Sequence, residues 1–101
     1  MFDFADLGTE QGFSSLERLL QSKLSGKDIA ILVNNAAEFQ HQLLIQAPWS
    51  YVLRASNVNA HSYAAMARHF VPGMLTRHAK GYRSAIINVG TCAAEPQNPR
   101  Y

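Results

Sequence analysis

Three short groups of residues hold most of the chemistry this chain could perform: Asn34-Asn35-Ala36-Ala37, Asn59, and Gly90-Thr91-Cys92. The Thr91 hydroxyl can donate to a carbonyl oxygen, although its branched Cβ restricts the rotamer. The asparagine amides can both donate and accept. The small Ala and Gly side chains let a flat ligand approach backbone N–H groups. Each group taken alone also reads as ordinary turn sequence. The histidines suggest no metal chemistry. His61, His69 and His78 follow one another at eight and nine residues, so no pair stands at i, i+4, and no H-E-x-x-H run occurs. They read as surface or helix-flank residues, and no metal site is expected. Cys92 is the sole cysteine, which rules out an intrachain disulfide and a multi-cysteine zinc site. No base or cation adjoins it in sequence, so it reads as an inert small residue.

These groups must be positioned by the elements around them. Phe13, Leu16, Leu19, Leu20 and Leu24 step by threes and fours between Gly12 and Gly26, one face of a helix with glycine at its stop. Ile29-Ala30-Ile31-Leu32-Val33 is a short, β-branched, almost wholly apolar run that ends at Asn34-Asn35. Such a run reads as a strand buried on both faces. A long helix is expected from about Trp49 to Met74. Its stripe is Trp49, Val52, Leu53, Ala60, Tyr63, Ala64, Ala67, Phe70, Val71, Met74 and Leu75. Pro48 suits its first turn, and Pro72 should kink or thin its end. Trp49, Tyr63 and Phe70 are read as core or dimer packing. Arg68, Arg77 and Lys80 are read as a solvated basic strip that complements the helix dipole. Ala85-Ile86-Ile87-Asn88-Val89 repeats the buried-strand pattern, and Phe2-Asp3-Phe4 reads as the end of an earlier strand.

Strand, long helix, strand implies a crossover and a parallel sheet. The fold class is therefore α/β, a partial Rossmann-like parallel sheet with flanking helices. Two strands and two helices are too few to cover both faces of such a sheet, so residues 1–101 read as the central part of one domain. Composition agrees with a folded chain: of 101 residues, 48% are hydrophobic and 16% charged. A net charge of +2 gives no reason to expect nucleic-acid binding.

Taken together, the groups resemble the short-chain dehydrogenase/reductase family. Ile31-Leu32-Val33-Asn34-Asn35-Ala36-Ala37 resembles that family's LVNNAG segment. Asn57-Val58-Asn59, with Val71-Pro72-Gly73-Met74 beyond it, resembles the mid-helix segment in which an asparagine precedes an LPxM-like ending. Ser84-Ala85-Ile86-Ile87-Asn88-Val89-Gly90-Thr91 resembles the IINVSS strand that delivers the catalytic serine. The NVN and VPGM segments, with the insertion between Glu38 and Trp49, look most like the branch of 17β-hydroxysteroid dehydrogenases and very-long-chain 3-oxoacyl-CoA reductases.

The resemblance implies an oxidoreductase that transfers hydride between NAD or NADP and a carbonyl or alcohol, such as a steroid or 3-oxoacyl compound. It aligns Thr91 with the catalytic serine and Asn59 with the asparagine that holds a relay water. It places Asp3 at the adenine ring, and Asn34, Asn35, Ala36 and Ala37 along the cofactor. Ala37 and Gly90 depart from the family's usual glycine and serine. The family's glycine-rich diphosphate turn and its tyrosine–lysine pair have no counterpart among these residues. The chain by itself is accordingly expected to be inactive. The alternative is a non-catalytic remnant that docks on a full-length relative. The resemblance further implies a homodimer through the helix around Trp49–Met74 and an intracellular, possibly endoplasmic-reticulum, setting, with a role in lipid metabolism.

Overall fold

The computed structural model describes residues 5–40 and 43–91. Asp3, His41, Cys92 and Tyr101, and the strand end read at residues 2–4, lie outside the described residues.

The first helix, α1, spans Glu10–Lys23. It begins at Thr9, whose Oγ1 accepts from the Gly12 N–H at 3.0 Å, a side-chain cap for an otherwise orphaned donor. Glu10 in the first turn and Lys23 in the last complement the helix dipole. The stop expected at Gly26 is present: its φ is +72°, a conformation glycine adopts without steric cost. Gly12 is a close-approach residue and not the helix boundary. A Cβ there would lie 1.6 Å from the Asp6 carbonyl oxygen.

β1 is Ile31–Asn34 and β2 is Ala85–Asn88. They pair in parallel, Ile31 opposite Ala85 and Asn34 opposite Asn88. The Ala85 N–H donates to the Ala30 carbonyl and the Val89 N–H to the Asn34 carbonyl, both at 2.9 Å. Burial on both faces, expected from the apolar runs, does not occur. Leu32 and Asn34 are buried, whereas Ile31 and Val33 are 59% and 55% exposed and every residue of β2 is exposed. The reason is one-sided cover. The helix that follows packs on β1 from one side, and no described residue shields the other.

The long element between the strands is three segments: α2 at Trp49–Ser56, a π-helical stretch at Asn57–His61, and α3 at Ser62–Ala79. The Ser62 N–H reaches back to the Asn57 carbonyl. A π turn inserts a residue and shifts the phase of everything after it. That shift is why the stripe drawn with a uniform period fails in part. Val58, Ser62 and Met74 are buried, while Trp49 is 81% exposed and Leu53 and Leu75 are also exposed. Pro72 removes one donor but does not end α3. The apolar core consists of Leu20, Leu32, Val58 and Met74. Each contributes about 1.5–3 kcal/mol by burial.

At the far end of α3, Arg77 is not a solvated charge. Its guanidinium pairs with Asp28, donates to Ser84 Oγ at 3.2 Å and to the Arg83 carbonyl at 3.3 Å, and stands 5.4 Å from the Tyr82 ring centroid. It therefore ties the segment entering β1 to the segment entering β2.

Candidate functional site

Parallel pairing in this register sends residues 35–37 and 89–91 out of the sheet at the same edge, side by side. Ligands of open α/β sheets bind at this carboxyl edge. Asn35, Ala36, Ala37, Gly90 and Thr91 are all exposed there. Nothing stands within 4 Å of a Cβ built on Gly90, so the approach to that backbone is open.

Asn34 holds the two strand ends together. It is buried, and its Nδ2 donates to Asn88 Oδ1 at 2.7 Å. Its backbone carbonyl accepts from Val89. A buried amide that lost such a partner would carry the desolvation cost unpaid. The expectation that Asn34 steadies the sheet through its amide describes the geometry found.

Asn59 lies in the π-helical stretch. Its Oδ1 accepts from the Glu38 N–H, and its Nδ2 donates to the Glu38 carbonyl, both at 2.9 Å. The carboxamide thus imitates a neighbouring strand and gives the loop after β1 the two bonds it lacks. Within the same stretch Ser62 Oγ donates to the Val58 carbonyl at 2.7 Å. Asn57 Nδ2 donates to the Gly8 carbonyl at 3.2 Å, and Asn57 Oδ1 faces His61 Nδ1 at 2.9 Å. With the amide so oriented, Nδ1 is the His61 nitrogen that carries the proton.

Three further side chains act on the same loops. Tyr63 stands one turn after Asn59, and its hydroxyl lies 3.2 Å from the Ala36 carbonyl oxygen and 3.4 Å from that of Val89. Tyr51 Oη accepts from the Gln40 N–H at 2.9 Å. Arg54 Nε donates to Glu38 Oε2 at 3.0 Å, and its second arm reaches Asp6 at 2.9 Å. The hydrogen bond from Arg54, reinforced by the Gly8 N–H, holds the Asp6 carboxyl below its usual range. Asp6 first and Glu38 second raise Arg54.

Asn34 and Asn59 are therefore tied into the edge, and Asn35–Ala37 and Thr91 line it. Sequence reasoning passed over Tyr51, Arg54 and Tyr63. One signal was available: Tyr63 follows Asn59 by four residues and so shares its helical face. No signal announced Arg54, because its partners depend on how the loops fold. Among the described residues no three His, Cys, Asp or Glu side chains gather in a form that could hold a metal ion, and no helix is long and apolar enough to cross a membrane.

Neither the known protein-family models nor the curated protein sequences contain a match to the chain. Among solved structures, it is similar to the bulky-bulky ketone specific alcohol dehydrogenase from Comamonas testosteroni. The TM-score is 0.67 at 22% sequence identity, over 92% of this chain. The likeness is one of fold. It makes the two strands and their helices part of a Rossmann-like arrangement. The chain spans 34% of the length of that dehydrogenase.

A nicotinamide cofactor can be tested against the edge itself. Small exposed residues at 35–37 and 90 leave backbone open to a flat ring, and Thr91 adds a hydroxyl. These features fit the nicotinamide-ribose half of such a cofactor. No glycine-rich turn opening a helix appears among the described residues to take the diphosphate.

Proposed function

We propose that the chain is the central part of a short-chain dehydrogenase/reductase, an oxidoreductase that moves hydride between NAD(P)H and a carbonyl or alcohol. The observation that carries this reading is the parallel edge where Asn34–Ala37 and Thr91 emerge together, with Asn59 fastened to the loop between them. The fold likeness to a ketone-specific alcohol dehydrogenase supports it. A steroid or 3-oxoacyl substrate follows the sequence resemblance to the hydroxysteroid dehydrogenase branch.

When bound, the cofactor supplies or accepts the hydride; the protein orients and polarises. Residues 35–37 would form one wall of its nicotinamide-ribose site, and Asp3, by the resemblance, would meet the adenine. The Thr91 hydroxyl would donate to the substrate's carbonyl oxygen and stabilise charge that develops there. Asn59 keeps both of its carboxamide atoms on Glu38, so its side chain holds the loop, and only its backbone remains to order a water. No proton donor with the strength of a lysine-assisted tyrosine is present in this proposal. The 101 residues alone should bind cofactor weakly and turn over no substrate.

Titration of the purified chain with NADPH, followed by nicotinamide fluorescence, tests the reading. Saturable binding that weakens in Thr91→Ala or Ala37→Leu is expected. Binding unaffected by both substitutions, or no binding at millimolar cofactor, overturns it.

A second reading is favoured by a separate observation. Ile31, Val33 and Ile87 are exposed on the sheet, as are Trp49 and Leu53 on α2. Exposed apolar surface of this kind suits a chain that docks on a full-length relative or pairs with a second copy through the helix around Trp49–Met74. Co-purification with the relative, or a dimer mass lost on Trp49→Glu, would support it.

A further inference from the structure

The Tyr63 hydroxyl has one proton and two carbonyl oxygens within reach, one on each of the loops that leave the sheet. All other ties at this edge act on one loop or on the strands behind it. Asn59 and Arg54 hold Glu38, and Tyr51 holds Gln40, all after β1. The Asn34–Asn88 amides join the strands at their last paired residues. Beyond that point, at Ala36 on one side and Val89 on the other, Tyr63 is the side chain found between the two loops. Its ring is carried on α3 one turn beyond the π-helical stretch, and that stretch sets the phase that aims it there.

We infer that Tyr63 is a positioning residue that sets the gap between the Ala36 and Val89 loops and so the width of the slot a flat cofactor ring would enter. This deepens the oxidoreductase reading and rests on it for the identity of the ligand, though the tether itself does not. Because one proton serves two acceptors, the hydroxyl alternates between them or is shared. It holds the loops together without locking them, as a slot that must admit and release a ring requires. The residue touches neither reacting atoms nor cofactor in this role; it acts through the two carbonyls.

Three forms of the full chain test the inference: wild type, Tyr63→Phe, and position 63 filled with 4-aminophenylalanine, whose para amine has protons for both carbonyls. Amide hydrogen exchange reports on the slot without any ligand. In Tyr63→Phe, exchange at residues 37, 38, 90 and 91 should rise by about three- to ten-fold, the loss of one partly exposed hydrogen bond, while the amides of Leu20 and Met74 stay unchanged. The amine should restore wild-type exchange. NADPH affinity should fall by a similar factor in Tyr63→Phe and recover with the amine. Unchanged loop exchange in Tyr63→Phe overturns the inference, as does a rise spread equally over α1 and α3. If exchange responds as stated but no form binds NADPH, Tyr63 remains the spacer and the oxidoreductase reading fails.

Discussion

The loop after β1 has no neighbouring strand beyond Asn34, and the Asn59 carboxamide stands in for one. The perturbation that tests this is a pair of substitutions, Asn59→Ala and Asn59→Asp. Asn59→Ala removes both bonds to Glu38, each 2.9 Å long. Net hydrogen bonds contribute about 0.5–1.5 kcal/mol each. Both are exposed, so the low half of that range applies and the loss should be about 1–2 kcal/mol. A chain of this size has a urea slope near 1 kcal/mol/M, so the midpoint should fall by about 1–2 M. Asn59→Asp keeps the acceptor for the Glu38 N–H but puts a carboxylate oxygen against the Glu38 carbonyl. At pH 7 it should be at least as damaging as alanine. Protonation turns that oxygen into a donor, so the folded state favours the neutral acid and raises its pKa above the unfolded value of about 3.9. The stability of Asn59→Asp relative to Asn59→Ala is then fully present below pH about 4 and is lost as pH rises through the raised folded pKa. The assay is urea unfolding followed by far-UV circular dichroism between pH 3.5 and 7.5. Equal midpoints for both variants at every pH would refute the strand-mimic reasoning.

Gly12→Ala would drive its Cβ into the Asp6 carbonyl. It should cost about 2–4 kcal/mol, on the scale of severe single substitutions, read as a drop in thermal midpoint. Asp6 has a lowered pKa through Arg54, so its contribution to stability is present above the usual carboxylate pKa and fades as pH falls through the lower folded value. Arg54→Met should flatten that acid limb in a pH series of unfolding midpoints. Arg77→Met should loosen the turns that enter both strands, with faster amide exchange at Ala85 and Ile31 and little change at Gly12. Pro72→Ala restores a helix donor at an exposed position and should stabilise α3 by about 1 kcal/mol, measured as a higher urea midpoint.

Much of the fold was legible because it rests on local signals. Thr9 and Gly26 bound α1, and two β-branched runs ending in polar residues mark the strands. Their parallel pairing followed from the long helix between them, since a connection of that length does not make a hairpin. What misled was burial. An apolar run says which residues would accept cover, and Ile31 and Val33 receive none on their side. The π-helical stretch was hidden as well, because no residue type demands one. Its effect on phase turned Trp49 and Leu53 outward and Tyr63 inward toward the strand ends. Of the site, Asn34 and Asn59 could be singled out by type and position. Arg54 and Tyr51 could not, because their partners Glu38, Asp6 and Gln40 are joined to them only by the folded path of the loops.

Tyr63 and Arg77 belong to one helix and grip the same two strands at opposite ends. Fourteen residues at 1.5 Å each give about 21 Å of helix, against about 26 Å of extended chain from Asp28 to Ala36. Fourteen residues are also close to four full turns, which brings both side chains to one face. The helix therefore works as a ruler whose two end marks are hydrogen bonds. Substitutions along its outer surface leave the measurement intact. Insertion of a single residue between the marks would swing one of them by about 100°, and one end of the sheet would come loose while the other stayed held.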